Sequence, residues 1–284
     1  MKIFKFVCLT LFLGFSGNLL AHRPVLEYIK NQGQWHQNVA FKVNYGGGAI
    51  FLEDGGFTYT FCDPEDRAAI HDFSQWSEEQ QEDFRIHGHT WKMHFVGAST
   101  PTLNGQNKFD HYYNYFLGND QTKWASNVGI YEAVKYDELY PGVDLRCYNR
   151  EANFKYDLIL DPGIDPSTIK LDFEGLNSVA IEEGKLVLKT SIGEFFENAP
   201  YAYQLIDGKL KEVSCNYMLD GETVSFEFPD GYNSAYKLII DPELIAATLS
   251  GTTGNDNYGH TATFDLAGEI YTGCISFGTG YPAT

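Results

Sequence analysis

Residues 112–160 read YYNYFLGNDQTKWASNVGIYEAVKYDELYPGVDLRCYNREANFKYDLIL, and this stretch decides the fold class. Aromatic and β-branched runs alternate in it with clusters of Gly, Pro, Asn and Asp, and no part of it has the pattern of a long helix. Short runs of this kind between turn residues are typical of packed antiparallel strands. We therefore predict that the stretch folds into consecutive antiparallel strands.

The same rhythm continues to about residue 241, with a turn signal about every ten residues, as in all-β folds. No amphipathic helix of the length found in parallel α/β folds separates the runs. The predicted fold is all-β, with one or more antiparallel β-sandwich-like domains. The turn signals after Val143 lie at 149–153, 161–166, 182–185, 198–200, 207–208, 220–221 and 230–231.

Three earlier stretches break or extend this pattern. Residues 39–62 predict a meander of strands, because Gly46 to Gly48 permit a tight reversal and Asp54-Gly55 is a hairpin signal. The acidic stretch 63–85 predicts at most one short helix or else a surface loop, and Ser77 to Gln80 fit a capping box. The polar stretch 98–110 predicts a connection and an internal split between two subdomains.

The charge and aromatic content restrict the classes of partner. The chain carries a formal charge of −18 at pH 7, and 15% of its residues are aromatic, which argues against disorder. A negative field repels phosphate backbones and anionic lipid surfaces. We therefore expect no nucleic acid among the partners, and we interpret the acidic residues as a hydrated surface rather than a dedicated cation site.

Residues 1–21 read MKIFKFVCLTLFLGFSGNLLA. Lys2 and Lys5 precede an apolar run that is too short for a comfortable membrane span, and Ala21 offers a cleavage site before His22. This pattern predicts a signal peptide, with an uncleaved anchor as the alternative. The mature chain is expected to be exported, either secreted or at the cell surface, without a membrane span.

The cysteines and histidines do not form a recognisable metal motif. His87, His89 and His94 lie close in sequence, but His89 and His94 point to opposite faces of a predicted strand. The spacing of Cys147 and Cys215 within apolar strands predicts that both face a core, with disulfide formation left open. The cysteines of the mature chain are Cys62, Cys147, Cys215 and Cys274.

Catalytic motifs are absent from the sequence. No nucleophile elbow, zinc-protease motif or phosphate-binding loop occurs, so we predict no catalytic, cofactor-binding or metal-ligating residue and no cofactor. Carboxylate pairs such as Glu78/Glu79 and Glu182/Glu183 fall in polar or turn segments. Tryptophans are candidates for stacking on sugar rings, although Trp91 is predicted in the core and Trp124 as a loop anchor. The other candidates are Trp35 and Trp76.

Residues 247–284 resemble the SBBP repeat of bacterial secreted β-propeller proteins. The match rests on Thr248-Leu249-Ser250-Gly251, Asp256, Gly259, Asp265, Gly268, Ile270 to Gly273 and Tyr281-Pro282. The chain departs from the pattern at Ser250, His260, Glu269 and Cys274. Two short strands, 261–264 and 269–274, are expected here. One repeat makes about one blade, and a propeller needs about four to eight. The resemblance implies that residues 245–284 are a single repeat of an incomplete array, with further repeats downstream in a longer protein.

Most of residues 31–244 resemble the domain of unknown function that precedes such repeats in surface proteins of Bacteroidota-type bacteria. The resemblance implies export, a β-rich domain over residues 22–244 and a non-catalytic surface role, with no catalytic residues to carry over. The matching segments are NQGQWHQNV (31–39), GGAIFLEDGGFTYTF (47–61), HGHTWKMHFVGA (87–98), YYNYFLGNDQTKWASNV (112–128), YPGVDLRCY (140–148), KYDLILDPGIDPSTIKL (155–171), ENAPYAYQ (197–204) and KLIIDPEL (237–244).

Three functional hypotheses follow. The first is a non-catalytic structural or adhesive surface module that carries a propeller array. Under any of the three the extracellular ligand is unknown, with a glycan or a protein as the candidates. The second is a carbohydrate- or peptide-binding module, which an exposed aromatic strip in a groove would favour. The third is a secreted hydrolase, which clustered carboxylates with raised pKa in a pocket would favour. A smooth, closed sandwich with neither feature would favour the first.

Overall fold

The computed structural model describes residues 26–116, 118–150, 153–246, 257–264 and 270–276. Nineteen strands in this part of the chain form one continuous antiparallel sheet, and two further strands pair with each other. The predicted signal peptide, residues 1–21, lies outside the described residues. So does the predicted repeat apart from residues 245–246 and its two paired strands.

The strands of the large sheet follow in chain order. The first nine are β1 (Tyr28–Lys30), β2 (Val39–Tyr45), β3 (Gly48–Glu53), β4 (Gly56–Cys62), β5 (Gly88–Phe95), β6 (Thr102–Tyr115), β7 (Ala125–Tyr140), β8 (Val143–Arg150) and β9 (Asn153–Leu160). The next ten are β10 (Leu171–Glu174), β11 (Ser178–Glu182), β12 (Lys185–Thr190), β13 (Gly193–Glu197), β14 (Tyr201–Ile206), β15 (Lys209–Val213), β16 (Asn216–Asp220), β17 (Thr223–Glu227), β18 (Leu238–Asp241) and β19 (Glu243–Ala246). The separate pair is β20 (Asn257–Phe264) and β21 (Ile270–Ser276).

Strand β7 joins the two halves of the sheet. Its N-terminal part pairs with β1, and its C-terminal part pairs with β8 along the same edge, while β6 occupies the opposite edge. One half runs from β1 through β2, β3, β4, β5, β10 and β17 to β16. The other half runs from β8 to β9, where β18 and β19 pair side by side along β9 and continue into β14 and β13.

The two halves pack face to face around one hydrophobic core. Strand residues alternate between the faces, so in β2 the side chains of Phe41 and Val43 are buried while Asn44 is exposed. Across the layers, the Tyr45 hydroxyl donates a hydrogen bond to the Leu244 carbonyl (2.9 Å), and the ring centroids of Trp91 and Phe195 lie 4.7 Å apart. Each fully buried apolar side chain stabilises the fold by roughly 1.5–3 kcal/mol.

The all-β, antiparallel prediction is confirmed, and so is the meander of residues 39–62. Its turns behave as the sequence indicates: Gly46 and Gly47 have positive φ angles of 55° and 82° between β2 and β3, and Glu53 pairs with Gly56 across the second turn. The two layers differ from a simple sandwich because they belong to one connected sheet.

The insertion between β4 and β5 holds two short α-helices where at most one was expected. They are α1 (Pro64–Ala69) and α2 (Glu78–Asp83), with a 3₁₀ segment (Ile70–Gln75) between them. The extra helix begins because the Asp63 carboxylate accepts hydrogen bonds from the Glu65 and Asp66 amides and Pro64 is set for a first helical turn. The predicted capping box at Ser77 and Gln80 is present at the start of α2. No helix in the described part of the chain is long and apolar enough to cross a membrane.

The stretch predicted as a polar connection is also different. Residues from Thr102 onward form β6, a strand of 14 residues paired with β7. Most of its side chains are exposed on both faces, so it lacks the alternation that identifies a half-buried strand. The internal split near 98–110 stays a prediction.

Candidate functional site

An aromatic strip runs along β6 and onto the neighbouring loop. Successive ring centroids lie 5.1 Å apart from Phe109 to His111, 6.2 Å from His111 to Tyr113 and 6.4 Å from Tyr113 to Tyr115. Trp35 then packs edge-on against Tyr115 at 5.4 Å. We call these five residues the aromatic strip. His111 and Tyr113 are exposed, and the other three are partly exposed.

A small second hydrophobic cluster lies under one end of the strip. The side chains of Ile29, Ala125 and Val128 are buried there, and Trp35 and Tyr115 pack against them. Lys42 extends the strip, because its Nζ lies 5.6 Å from the Trp35 ring and 5.8 Å from the Phe51 ring. Burial lowers the pKa of Lys42.

The side chain of Asn31 fixes the loop that carries Trp35. Its Oδ1 accepts hydrogen bonds from the amides of Gly33 (3.0 Å) and Trp35 (3.3 Å). Its Nδ2 donates to the carbonyls of His36 (2.9 Å) and Val39 (2.7 Å). The backbone that carries Trp35 is therefore fixed by these four hydrogen bonds.

A carboxylate lies beside the middle of the strip. The Tyr113 hydroxyl donates a hydrogen bond to Glu27 Oε2 (2.5 Å), and His111 Nε2 lies 2.8 Å from Glu27 Oε1. Desolvation, together with the Glu27 carboxylate, raises the pKa of Tyr113 to about 12. Tyr113 therefore remains a neutral hydroxyl group at physiological pH, and the strip combines ring faces with hydrogen-bonding groups.

The end of the β6–β7 hairpin adds three more exposed aromatic side chains. Tyr112 is 53% exposed, Phe116 56% and Trp124 40%. The rings of Phe116 and Trp124 lie 5.6 Å apart, and Trp124 Nε1 donates a hydrogen bond to the Gly118 carbonyl (3.2 Å). The prediction that Trp124 anchors a loop is confirmed.

The backbone groups at the outer edge of β6 are less suited to binding a partner than the side chains of this strand are. Within the described residues β6 pairs with β7 alone, and its register shifts between Lys108 and Tyr112 and again between Tyr113 and Tyr115. Bulges of this kind on an edge strand disturb the row of backbone groups that another strand would pair with. Side chains rather than backbone are therefore what this region offers to a partner.

A charged cluster lies on the other half of the sheet, where β8, β9 and β18 meet. Lys155 Nζ lies 2.7 Å from Asp241 Oδ1 and donates a hydrogen bond to Oδ2 (2.9 Å). Asp157 accepts a hydrogen bond from the Tyr148 hydroxyl (3.1 Å), and an Arg150 guanidinium nitrogen lies 3.8 Å from Asp241 Oδ2. We call these five residues the charged cluster. Lys155, Asp157 and Asp241 are all buried.

Two buried carboxyl groups have raised pKa values. Desolvation, and then repulsion from Asp241, raises the pKa of Asp157. Desolvation also raises the pKa of Glu197 to about 7, against the lowering effect of its hydrogen bonds from Tyr156 (3.0 Å) and Tyr217 (3.1 Å). Glu197 is fully buried between the layers.

Neither group lines either of two cavities on the described residues. A half-open cavity of about 440 Å³ is lined by side chains that include His94, Asp172, Glu174 and Glu222. A shallower one of about 490 Å³ lies on the insertion against Trp76 and Phe84, next to polar side chains of α2. Acid–base catalysis needs a shifted carboxyl that a substrate can reach, and these cavities do not supply one.

The histidines singled out from the sequence have separate partners. His87 Nδ1 lies 2.7 Å from Asp66, His94 Nε2 lies 3.1 Å from Glu174, and His89 contacts Ser191 and the Gly175 carbonyl. The described residues contain no group of three or more side chains placed to hold a metal ion.

The other sequence candidates are distributed between core and surface. Trp91 is buried and stacks on Tyr59 at 5.0 Å, which confirms its predicted core position. Cys147 and Cys215 are buried as predicted, and they and Cys62 are free thiols. Sequence reasoning missed the charged cluster, whose signal is the alternation of Lys155 and Asp157 within an otherwise apolar β9. It also missed the row from Phe109 to Tyr115, where aromatic rings occupy alternate positions.

The fold places this chain among all-β proteins built on one large antiparallel sheet. A family model described as Domain of unknown function (DUF7948) matches residues 28–243, and the chain belongs to this family. The match begins at the first residue of β1 and ends at the first residue of β19, so it coincides with the nineteen-stranded sheet. No curated protein and no solved structure matches the chain.

Proposed function

We propose that this chain is a non-catalytic adhesive module that is exported and uses the aromatic strip to bind neutral carbohydrate. The observation that carries the proposal is the strip itself: five rings in successive contact, exposed or partly exposed, of which Trp35 and Tyr115 pack on a small hydrophobic cluster. Aromatic side chains with one apolar face and one wet edge are suited to ligands that have apolar C–H faces and hydroxyl rims.

The charges favour neutral sugars. A chain with a formal charge of −18 repels anionic glycans at long range. Beside the rings, the Glu27 carboxylate and the His111 imidazole provide hydrogen-bonding groups for sugar hydroxyls. A peptide ligand remains the alternative, and a hydrolase is disfavoured because the raised-pKa carboxyls lie away from the cavities.

The finer family assignment belongs to the same proposal. Residues 1–21 are a signal peptide, and the chain is the N-terminal part of a surface protein of a Bacteroidota-type bacterium. Residues 245–284 are the first SBBP-type repeat of a propeller array that continues downstream. The antiparallel pairing of β20 with β21 supports the blade assignment, because a blade is built from such strands. Sequencing the gene beyond residue 284 tests it: further repeats are expected, and their absence would refute it.

The binding proposal is tested with a glycan array and titration calorimetry on the full chain. Tyr113→Ala is expected to weaken binding about tenfold, because exposed aromatic anchors dominate such surfaces. Tyr201→Ala is the matched control, since both tyrosines are 38% exposed and Tyr201 lies on β14, outside the strip. Equal losses in the two variants, or peptide binding in place of glycan binding, would reject the strip as a sugar site. Turnover of a glycan that Asp157→Asn abolishes would reject the non-catalytic assignment.

A further inference from the structure

Lys155 and Asp241 belong to the charged cluster, and both side chains are buried and in direct contact. They lie on β9 and β18, which pair directly, and their side chains are 5% and 6% exposed. The Lys155 nitrogen lies 2.7 Å from one carboxylate oxygen and 2.9 Å from the other. A nitrogen within reach of both oxygens is also about 3 Å from the carbon between them, the separation found in near-attack arrangements.

Asp157 adds a third buried ionisable group to the same place. It lies two residues from Lys155 on β9 and therefore on the same face of the sheet. Burial, and then repulsion from Asp241, favour its protonated form, and the hydrogen bond from the Tyr148 hydroxyl fixes its orientation. Lys155, Asp241 and a protonated Asp157 together carry no net charge, yet the ion pair still costs free energy to desolvate.

We propose that the folded chain joins Lys155 Nζ to Asp241 Cγ in an amide bond. Transfer of one proton within the ion pair gives a neutral amine and a neutral carboxylic acid. The amine then attacks Cγ, the new N–C bond forms, and one C–O bond breaks. Asp157 acts as a proton donor to the carboxyl oxygen during addition and is reprotonated as the amine loses its proton. One water molecule leaves, and nothing is oxidised or reduced.

The amide would remove both buried charges and close a long covalent loop. The joined residues are 86 positions apart, so the bond would restrict the unfolded chain much as a disulfide does. It would also tie β9 to the strand that leads to the end of the large sheet.

Lys135 provides an internal control. Its Nζ lies 2.5 Å from Asp137 and 2.8 Å from Asp144, but its side chain is 29% exposed. Hydrogen bonds to the two carboxylates raise the pKa of Lys135, so the amine stays protonated and cannot attack. Both lysines lie close to carboxylates, but only Lys155 is buried beside a protonated acid.

The test is mass spectrometry of the purified full chain. We expect an intact mass one water below that of the linear chain, after any N-terminal processing is assigned. Trypsin should release a branched peptide that joins residues 151–170 to residues 238–284, while the peptides around Lys135 stay linear. Lys155→Arg and Asp241→Ala should restore the full mass. Asp157→Asn should also stay unjoined, and its Tm should fall by roughly 10 °C, because the loop is no longer closed.

Two results would overturn the proposal. The first is a wild-type chain of full mass that yields only linear peptides from residues 151–170 and 238–284. The second is a water loss that persists in Lys155→Arg, because that loss would then arise elsewhere, for example from a succinimide. If the Asp157→Asn variant forms the cross-link at the wild-type rate, Asp157 takes no part in the reaction. The first result is read from the wild-type chain alone. The proposed amide bond is therefore tested even if a variant fails to fold.

Discussion

Glu197 shows how a single buried side chain makes stability depend on pH. Its carboxyl is enclosed between the layers and is held by Tyr156 and Tyr217, and burial raises its pKa from 4.5 to about 7. The folded state therefore binds a proton more tightly than the unfolded state does. The stabilisation from this group is fully present below pH 4.5 and is lost as the pH rises through 7.

We predict that Glu197→Gln removes this pH dependence. One pKa unit corresponds to about 1.4 kcal/mol, so the wild-type chain should lose about 3 kcal/mol of unfolding free energy through this interval, in addition to the effects of other groups. Glutamine keeps an acceptor for both hydroxyls and does not ionise. Urea unfolding at several pH values measures the difference between variant and wild type. A difference that stays constant across the interval would contradict the prediction.

The charged cluster marks the limit of sequence reasoning at the level of residues. Alternation within β9 places Lys155 and Asp157 on one face of the sheet, and the sequence alone predicts this. Their partner Asp241 comes from a strand 86 residues later, and only the pairing of β9 with β18 brings it into contact. A pairing that depends on the register of distant strands cannot be predicted from a local sequence pattern.

Strand β6 shows the same limit at the level of elements. The alternating strands β2, β5 and β8 are recognisable because each buries one face. Strand β6 is exposed on both faces and has polar residues and Gly105 in its first half, so the sequence indicates a connection. What holds it in the sheet is the long backbone ladder with β7, which no side-chain pattern reveals.

Gly105 allows β6 to lie close to the Tyr131 ring of β7. A Cβ atom at this position would fall 2.4 Å from that ring, whereas one at Gly55 would meet nothing within 4 Å. We predict that Gly105→Ala destabilises the fold by about 1–3 kcal/mol, because the ring must move or the strands must separate. Gly55→Ala is the control and should change the unfolding free energy by less than about 0.5 kcal/mol. Guanidinium unfolding compares the two, and equal effects would refute the close-packing argument.

The insertion between β4 and β5 is an element that carries its own small core. Phe73, Trp76 and Phe84 pack with ring centroids 5.0 to 6.0 Å apart, and no residue of α1 or α2 is buried. Ser77→Ala removes the capping box of α2 and should cost the helix about 1 kcal/mol. Hydrogen exchange should show faster opening confined to residues 64–84. A matching fall in the stability of the sheet would mean that the insertion is coupled to the main core.

At the scale of the whole molecule, the hydrophobic core is continuous across the proposed split near residues 98–110. One cluster of buried side chains includes Phe57 and Trp91 before that stretch and Tyr136, Tyr156 and Leu244 after it. Hydrogen bonds cross the layers as well, since the Tyr45 hydroxyl contacts the backbone 199 residues later. Two independently folding subdomains would instead each enclose a core of their own.

We therefore predict that residues 28–246 unfold in one cooperative transition. Calorimetry of the full chain should give a calorimetric enthalpy for this transition equal to the van't Hoff enthalpy, and the near-UV signal of the buried aromatic side chains should follow the same curve as the far-UV signal of the strands. Cleavage at a protease site inserted between Ser99 and Thr100, which are both exposed, supplies the control. If the core is shared, the two fragments should remain associated and melt together at a lower temperature, because the cut removes a covalent link but no core contact. Fragments that separate and melt independently would establish two subdomains. The polar stretch 98–110 would then be the connection that its sequence indicates.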